Sequence, residues 1–223
     1  MSALSTGFDH TRLARPLEQK EERTYVARMS KYPEVVGQLL SAAVDQGMSL
    51  HSQVYAVAYG GKGLREALEV QFPNLTFILD RPHLKGQLYE GAEAIDLTGK
   101  ERHQWVSDKL HLIDSGGVRQ VIRTFKGYRG QGKERITNLS EYLKRFCDAV
   151  DYDYFRAIGL PISSGEVESA HRYIPQKRLK IPGATWHPDT INPMLALRIL
   201  RANGWWEDFW TKQSASCQNR LAV

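Results

Sequence analysis

Residues 52–80, "SQVYAVAYGGKGLREALEVQFPNLTFILD", decide the fold class. "SQVYAVAYGG" is short, rich in β-formers, mostly apolar and closed by glycines, the pattern of a strand buried on both faces. "KGLREALEVQF" changes period and places Leu64, Ala67 and Leu68 on one helical face. "NLTFILD" is a second buried strand, ending at Asp80. A strand, a helix and a second strand in this order predict a βαβ crossover with parallel strands.

Upstream, "YPEVVGQLLSAAVDQG" reads as an amphipathic helix, with Val36, Leu39, Leu40 and Ala43 inward and Gly47 as its stop. Residues 1–24 are polar and aperiodic, and read as a tail or connection. Downstream, from Pro82 to about Phe155, four helical segments separated by glycine-containing breaks carry no strand signal. They predict a helical insertion over about 82–156 within an α/β core. The segment "NPMLALRILRANGWWEDFW" reads as a buried helix starting at Asn192, with Pro193 at the first helical position and a stop at Asn203-Gly204. Trp205, Trp206, Phe209 and Trp210 read as a packing plug, and residues 213–223 as a second tail.

The chain has 223 residues, 42% of them hydrophobic, enough for one large core. No apolar run approaches the roughly 20 residues of a membrane span, and the first residues carry no apolar secretory core. Cys147 and Cys217 fit neither a metal spacing nor a disulfide framework, which points to a reducing, cytoplasmic setting. The net charge of +5 is modest, but its distribution is not. From Ser115 to Lys133 there is no acid, and Arg119, Arg123, Lys126, Arg129 and Lys133 fall together. From Ser169 to Pro188 there is none either, and Arg172, Lys177, Arg178 and Lys180 lie there. Such tracts are either solvated surfaces or binding tracks for a polyphosphate backbone, the latter through counterion release.

The second tract follows two glutamates, in "GLPISSGEVESAHRYIPQKRLKIPGATWHP", residues 159–188. Ser163 and Glu166 fit a capping box at a helix start. Val167, Ala170, His171 and Ile174 form the core stripe of that helix. Glu168 borders the stripe, and the turn beneath it holds only Ser164 and Gly165, both small. That leaves room for a metal or a phosphate; the plainer reading is a surface Glu168–Arg172 pair four residues apart.

The stretch "ISSGEVESAHRYIPQKRLKIPGATW" resembles the glutamate motif of bacterial insertion-sequence DDE transposases, in the Mutator-like, Kra-type group. Gly165, Val167, Glu168, Ser169, Ala170, Arg178, Gly183 and Trp186 occupy the motif's places. Asp80 and His83 resemble the D-x-x-H that follows the second catalytic aspartate, and "ALRILRANGWWEDFW" resembles the family's closing segment. The resemblance covers residues 25 to about 211.

It implies a ribonuclease H-like α/β core, incomplete at its N-terminus, spanning residues 25–212. It further implies DNA transposition by cleavage and strand transfer. Three carboxylates would hold two Mg²⁺ or Mn²⁺ ions about 4 Å apart. Glu168 takes the place of the third carboxylate, whereas Asp80 and His83 match accessory residues of the family; because Asp80 ends its strand, it is also the candidate to stand in as a metal ligand beside Glu168, with His83 either in support or capping the helix that follows. Tyr59 stands where the second aspartate is expected, and a neutral phenol is a poor ligand for Mg²⁺. Asp9, the one upstream aspartate, lies in no strand-like setting. The implied partners are element-end and target DNA, in the nucleoid, and a second copy of the chain. A catalytically inactive DNA-binding remnant that pairs with or inhibits an intact transposase is the competing expectation. An unrelated nuclease built on Asp80 and Glu168 is a third.

Overall fold

The computed structural model describes residues 3–7 and 23–221, with side chains for 23–216. Asp9 lies outside the described residues. The chain is mixed α/β and mostly helical. Strands β2 (Gln53–Ala58) and β3 (Thr76–Leu79) are parallel, with Tyr55 opposite Thr76 and Ala58 opposite Leu79. Helix α2 (Leu64–Gln71) makes the crossover and buries Leu64, Ala67 and Leu68. This is the βαβ unit expected from the strand–helix–strand pattern. Strand β1 (Ala3–Gly7) lies in the stretch read as a tail and pairs antiparallel with the other side of β2. A five-stranded ribonuclease H-like sheet is not among the described elements.

Helix α1 (Tyr32–Asp45) buries Val36, Leu39 and Ala43 and ends at Gly47, whose φ of +91° is left-handed and favours glycine. The expected helical region resolves into α3 (Arg81–Ala94), α4 (Gly99–Asp114), α5 (Val118–Lys126), α6 (Lys133–Arg145) and α7 (Tyr152–Ala157). Gly91 is what lets α3 and α6 approach: a Cβ there would sit 3.0 Å from Leu139 and 3.7 Å from Ile136. These helices share one continuous core with the strands and with α1 and α2. Among the described residues, the outer edge of β3 is held by loops rather than by a further strand. Leu79 donates its N–H to Ala149, and Arg81 donates to Ile162, at 2.9 and 3.0 Å.

The C-terminal third packs around a separate small cluster of Ala27, Ile174 and Leu195. Helix α8 (Gly165–His171) runs through a π-helical turn (Arg172–Gln176) into α9 (Lys177–Leu179). Helix α10 (Pro188–Ala202) and helix α11 (Trp206–Leu221) complete it. An extended strap, residues 25–29, lies antiparallel along α10 and is clamped at both ends by side-chain amides. Asn203 accepts from the Tyr25 N–H and donates to its carbonyl, at 2.8 and 3.1 Å. Asn192 does the same for Met29, at 2.8 and 3.2 Å.

Three local expectations are corrected. Helix α10 starts at Pro188 with His187 as its cap, so Pro193 lies inside the helix. An earlier X-Pro start at His187-Pro188 satisfies the same positional preference. The aromatic cluster is not a plug: Trp205 and Trp210 are 46% and 44% exposed, and Leu195 alone of α10 is buried. Helix α10 has one stripe against Ile174 and the strap, along which Ile191, Met194, Ile199 and Ala202 are only partly covered, while Leu197 is exposed. His171 is likewise outside the α8 stripe and exposed; Val167 and Ile174 supply the buried positions.

Candidate functional site

The site is assembled at the C-terminal ends of β2 and β3. In a parallel sheet this edge receives the chain's turns into its helices, and ligands gather there. Asp80 is the first residue past β3 and is wholly buried. Buried carboxylates need partners, and Asp80 has them on both oxygens. Oδ2 accepts the His83 backbone N–H at 2.8 Å, which makes Asp80 the N-cap of α3, and faces His83 Nδ1 at 3.1 Å. Oδ1 accepts the Ser164 N–H at 2.6 Å. Ser164 is itself the cap residue of α8, so this bond fixes the start of α8 over the strand end.

One turn into α8, Glu168 comes down over Asp80. Ligand atoms of Asp80, His83 and Glu168 all lie within 4.8 Å of one another. Asp80 is buried, whereas His83 and Glu168 open to solvent. The Tyr59 ring at the end of β2 stacks on the imidazole, centroids 5.5 Å apart and 28° between planes. The Tyr59 hydroxyl lies 3.2 Å from that of Tyr32. That hydrogen bond, with partial burial, pushes the Tyr59 phenol up from 10.0 to about 12.

The two glutamates separate as helix geometry requires. Glu166 turns away and pairs with Arg23 at 2.8 Å. The expected capping box is absent: α8 starts at Ser164, no side chain caps it, and Glu166 is drawn to Arg23 instead. The expected Glu168–Arg172 pair is absent too. Among the described residues Glu168 has no ion pair, although cationic residues follow it along the helix.

The donor set decides which ion the site fits. Spacings under 4.8 Å are close to the roughly 3–4 Å between ligand atoms around an ion with bonds of about 2.1 Å. Two carboxylates and an imidazole suit one Mn²⁺-like ion, for which a nitrogen ligand is acceptable, better than Mg²⁺. A second ion finds no further carboxylate among the described residues at this edge, because Tyr59 offers only a protonated phenol.

The basic residues lie on two stretches, the first on α5, which packs against α4 and α6, and the second in the segment that follows Glu168. Helix α5 buries Val118, Val121, Ile122 and Phe125 and exposes Arg119, Arg123 and Lys126 on its other face. Arg129 and Lys133 follow, also exposed, and none of these five forms an ion pair among the described residues. In the π-helical turn, in α9 and just past it, Arg172, Lys177 and Lys180 are exposed on the side that begins at Glu168. Arg178 instead lies over the Trp186 ring, 5.6 Å from its centroid, which ties it to the loop before α10.

Sequence reasoning missed Ser164, whose backbone rather than side chain serves the site, and Tyr32, whose hydroxyl pairs with that of Tyr59. A partner reached through 84 residues of chain leaves no periodic trace. Among the described residues no helix is long and apolar enough to cross a membrane. Compared with protein-family models, with curated proteins and with solved structures, the chain matches none.

Proposed function

We propose that this chain is a DNA-binding protein of the DDE transposase type, ribonuclease H-like by descent, with its two-ion centre reduced to a one-ion site. The observation that carries the reading is the approach of Glu168 to Asp80 and His83 at the strand ends, across separate packing units. Asp80, His83 and Glu168 would hold the ion. When bound, such an ion polarises a phosphoryl oxygen and lowers the pKa of a coordinated water.

The protein's own residues supply the rest. Asp80 orients the imidazole through Nδ1 and anchors α8 through Ser164. Tyr59 closes one side of the imidazole without adding charge. The exposed cations that follow Glu168, Arg172, Lys177 and Lys180, are suited to hold phosphates next to the site, and those of α5 offer a second phosphate-binding face. Full strand transfer by two-ion chemistry needs a further carboxylate where Tyr59 stands. The reading therefore places binding above catalysis, with pairing to a second copy or to an intact transposase as its biological use.

The test is salt-dependent binding together with cleavage. The chain should bind duplex DNA in a strongly salt-sensitive manner and leave it intact in Mg²⁺ or Mn²⁺. Metal-dependent cleavage lost in both Asp80→Asn and Glu168→Gln would instead establish a one-ion nuclease, the second reading, which the intact Asp80–His83 pair favours. Absence of DNA binding at low salt would sink both.

A further inference from the structure

The side of α8 and α9 that begins at Glu168 has a feature that duplex binding leaves unexplained. Ser169, Arg172, Tyr173, Gln176, Lys177 and Lys180 line an open groove of about 470 Å³. At spacings of three and four residues they share one helical face, opposite the buried Val167 and Ile174. Tyr173 is an aromatic ring 53% exposed in the middle of this groove. No acid occurs between Ser169 and Pro188, and among the described residues Arg172, Lys177 and Lys180 form no ion pair.

Tyr173 is held in place from below. It sits in the π-helical turn, a local widening that occurs often at functional sites. Arg198 of α10 donates to the carbonyls of Tyr173 and Ile174, and its guanidinium lies 5.8 Å from the Tyr173 centroid. Lys177, one turn on, places its ammonium 5.9 Å from the same ring. The two cations differ in kind. Arg198 is fixed by two carbonyls, whereas Lys177 is a point charge on a flexible stem.

An anchored, exposed aromatic flanked by cations in an acid-free groove is the arrangement that binds single-stranded nucleic acid. Bases stack on the ring, and the charges follow the backbone. We infer that this face is a single-stranded DNA track, in which Tyr173 stacks an unpaired base and Arg172, Lys177 and Lys180 hold the adjoining phosphates. The inference rests on the DNA-binding reading above and adds strand state to it. From Glu168 to Lys180 the track is about 18 Å long at helical rise, room for about three nucleotides. Its first phosphate falls beside the Asp80–His83–Glu168 cluster, so the track delivers a strand end or a frayed terminus to that cluster.

The experiment is fluorescence anisotropy on the full chain, with labelled oligothymidylate and with a duplex of equal length, without added divalent metal. Tyr173→Ala should weaken oligothymidylate binding about tenfold and leave duplex binding within twofold, while Tyr173→Phe should bind both as the parent does. Lys177→Ala with Lys180→Ala should weaken both and lower the single-strand salt slope by about 0.7 for each phosphate no longer neutralised. Equal loss on both probes in Tyr173→Ala, or no loss on oligothymidylate, would overturn the stacking track while leaving the duplex reading intact. Binding to neither probe by the parent chain would remove the DNA reading and this inference with it. Tyr173 is exposed, so the substitution leaves folding in place, and matching circular dichroism of the Ala and Phe variants checks it.

Discussion

Asp80 holds the fold and the site at once, and Asp80→Ala separates those roles quantitatively. The substitution removes the N-cap of α3, a loss of about 1 kcal/mol. It also leaves the Ser164 N–H without its acceptor at a buried junction, which costs about 1–3 kcal/mol. Together these give a destabilisation of about 2–4 kcal/mol. For a chain of this size that lowers the melting temperature by roughly 5–15 °C. Glu168→Gln is the contrasting variant: its side chain is exposed and has no ion pair among the described residues, so stability should change by less than about 0.5 kcal/mol. Urea unfolding followed by far-ultraviolet circular dichroism reads both. An Asp80→Ala midpoint equal to that of the parent, at the same slope, would refute the account of Asp80 as the buried tie between α3 and α8.

Arg119→Ala, Arg123→Ala and Lys126→Ala combined should reduce the slope of log affinity against log salt on duplex DNA by roughly 2–3, since each neutralised phosphate contributes about 0.9; an unchanged slope would make that face of α5 merely solvated. Asn203→Ala should loosen the strap by about 1 kcal/mol for each hydrogen bond removed, read as faster amide exchange at residues 25–29, whereas equal protection in both proteins would show that Asn203 does not hold it. The Tyr59 phenol is raised from 10.0 to about 12 in the folded chain, so its contribution is complete below pH 10 and declines as pH rises toward 12. Tyr59→Phe should therefore show a shallower loss of stability over that window in pH-dependent urea titrations; a steeper loss would contradict the Tyr32 hydrogen bond as the cause.

The βαβ unit was legible because its signals are local. β2 and β3 are short apolar runs bounded by glycine, proline and asparagine, and Leu64, Ala67 and Leu68 fall on a single helical face. The placement of Asp80 at a strand end was legible for the same reason. What the sequence hid was the non-local closure. The Ser164–Asp80 bond and the asparagine clamps on Tyr25 and Met29 join residues 84, 178 and 163 positions apart, and periodicity carries no information about such pairs. Helix α10 departs from its expected burial because an apolar segment of that length is covered only on average. Here the second cluster is small, and it covers only the stripe through Leu195. The capping box does not form because the helix cap is Ser164, which puts Glu166 one position short of the box's acid; Glu166 pairs with Arg23 instead.

The claim on which the rest depends is that Asp80, His83 and Glu168 form one divalent-cation site. Isothermal titration of the full chain with Mn²⁺ tests it directly, using the parent, His83→Ala and Glu168→Gln, neither of which disturbs the buried Asp80–Ser164 tie. The account predicts one ion bound per chain in the parent and at least tenfold weaker binding in each variant, with circular dichroism unchanged. Two ions per chain, no binding at millimolar Mn²⁺, or binding unaffected by both substitutions would contradict it.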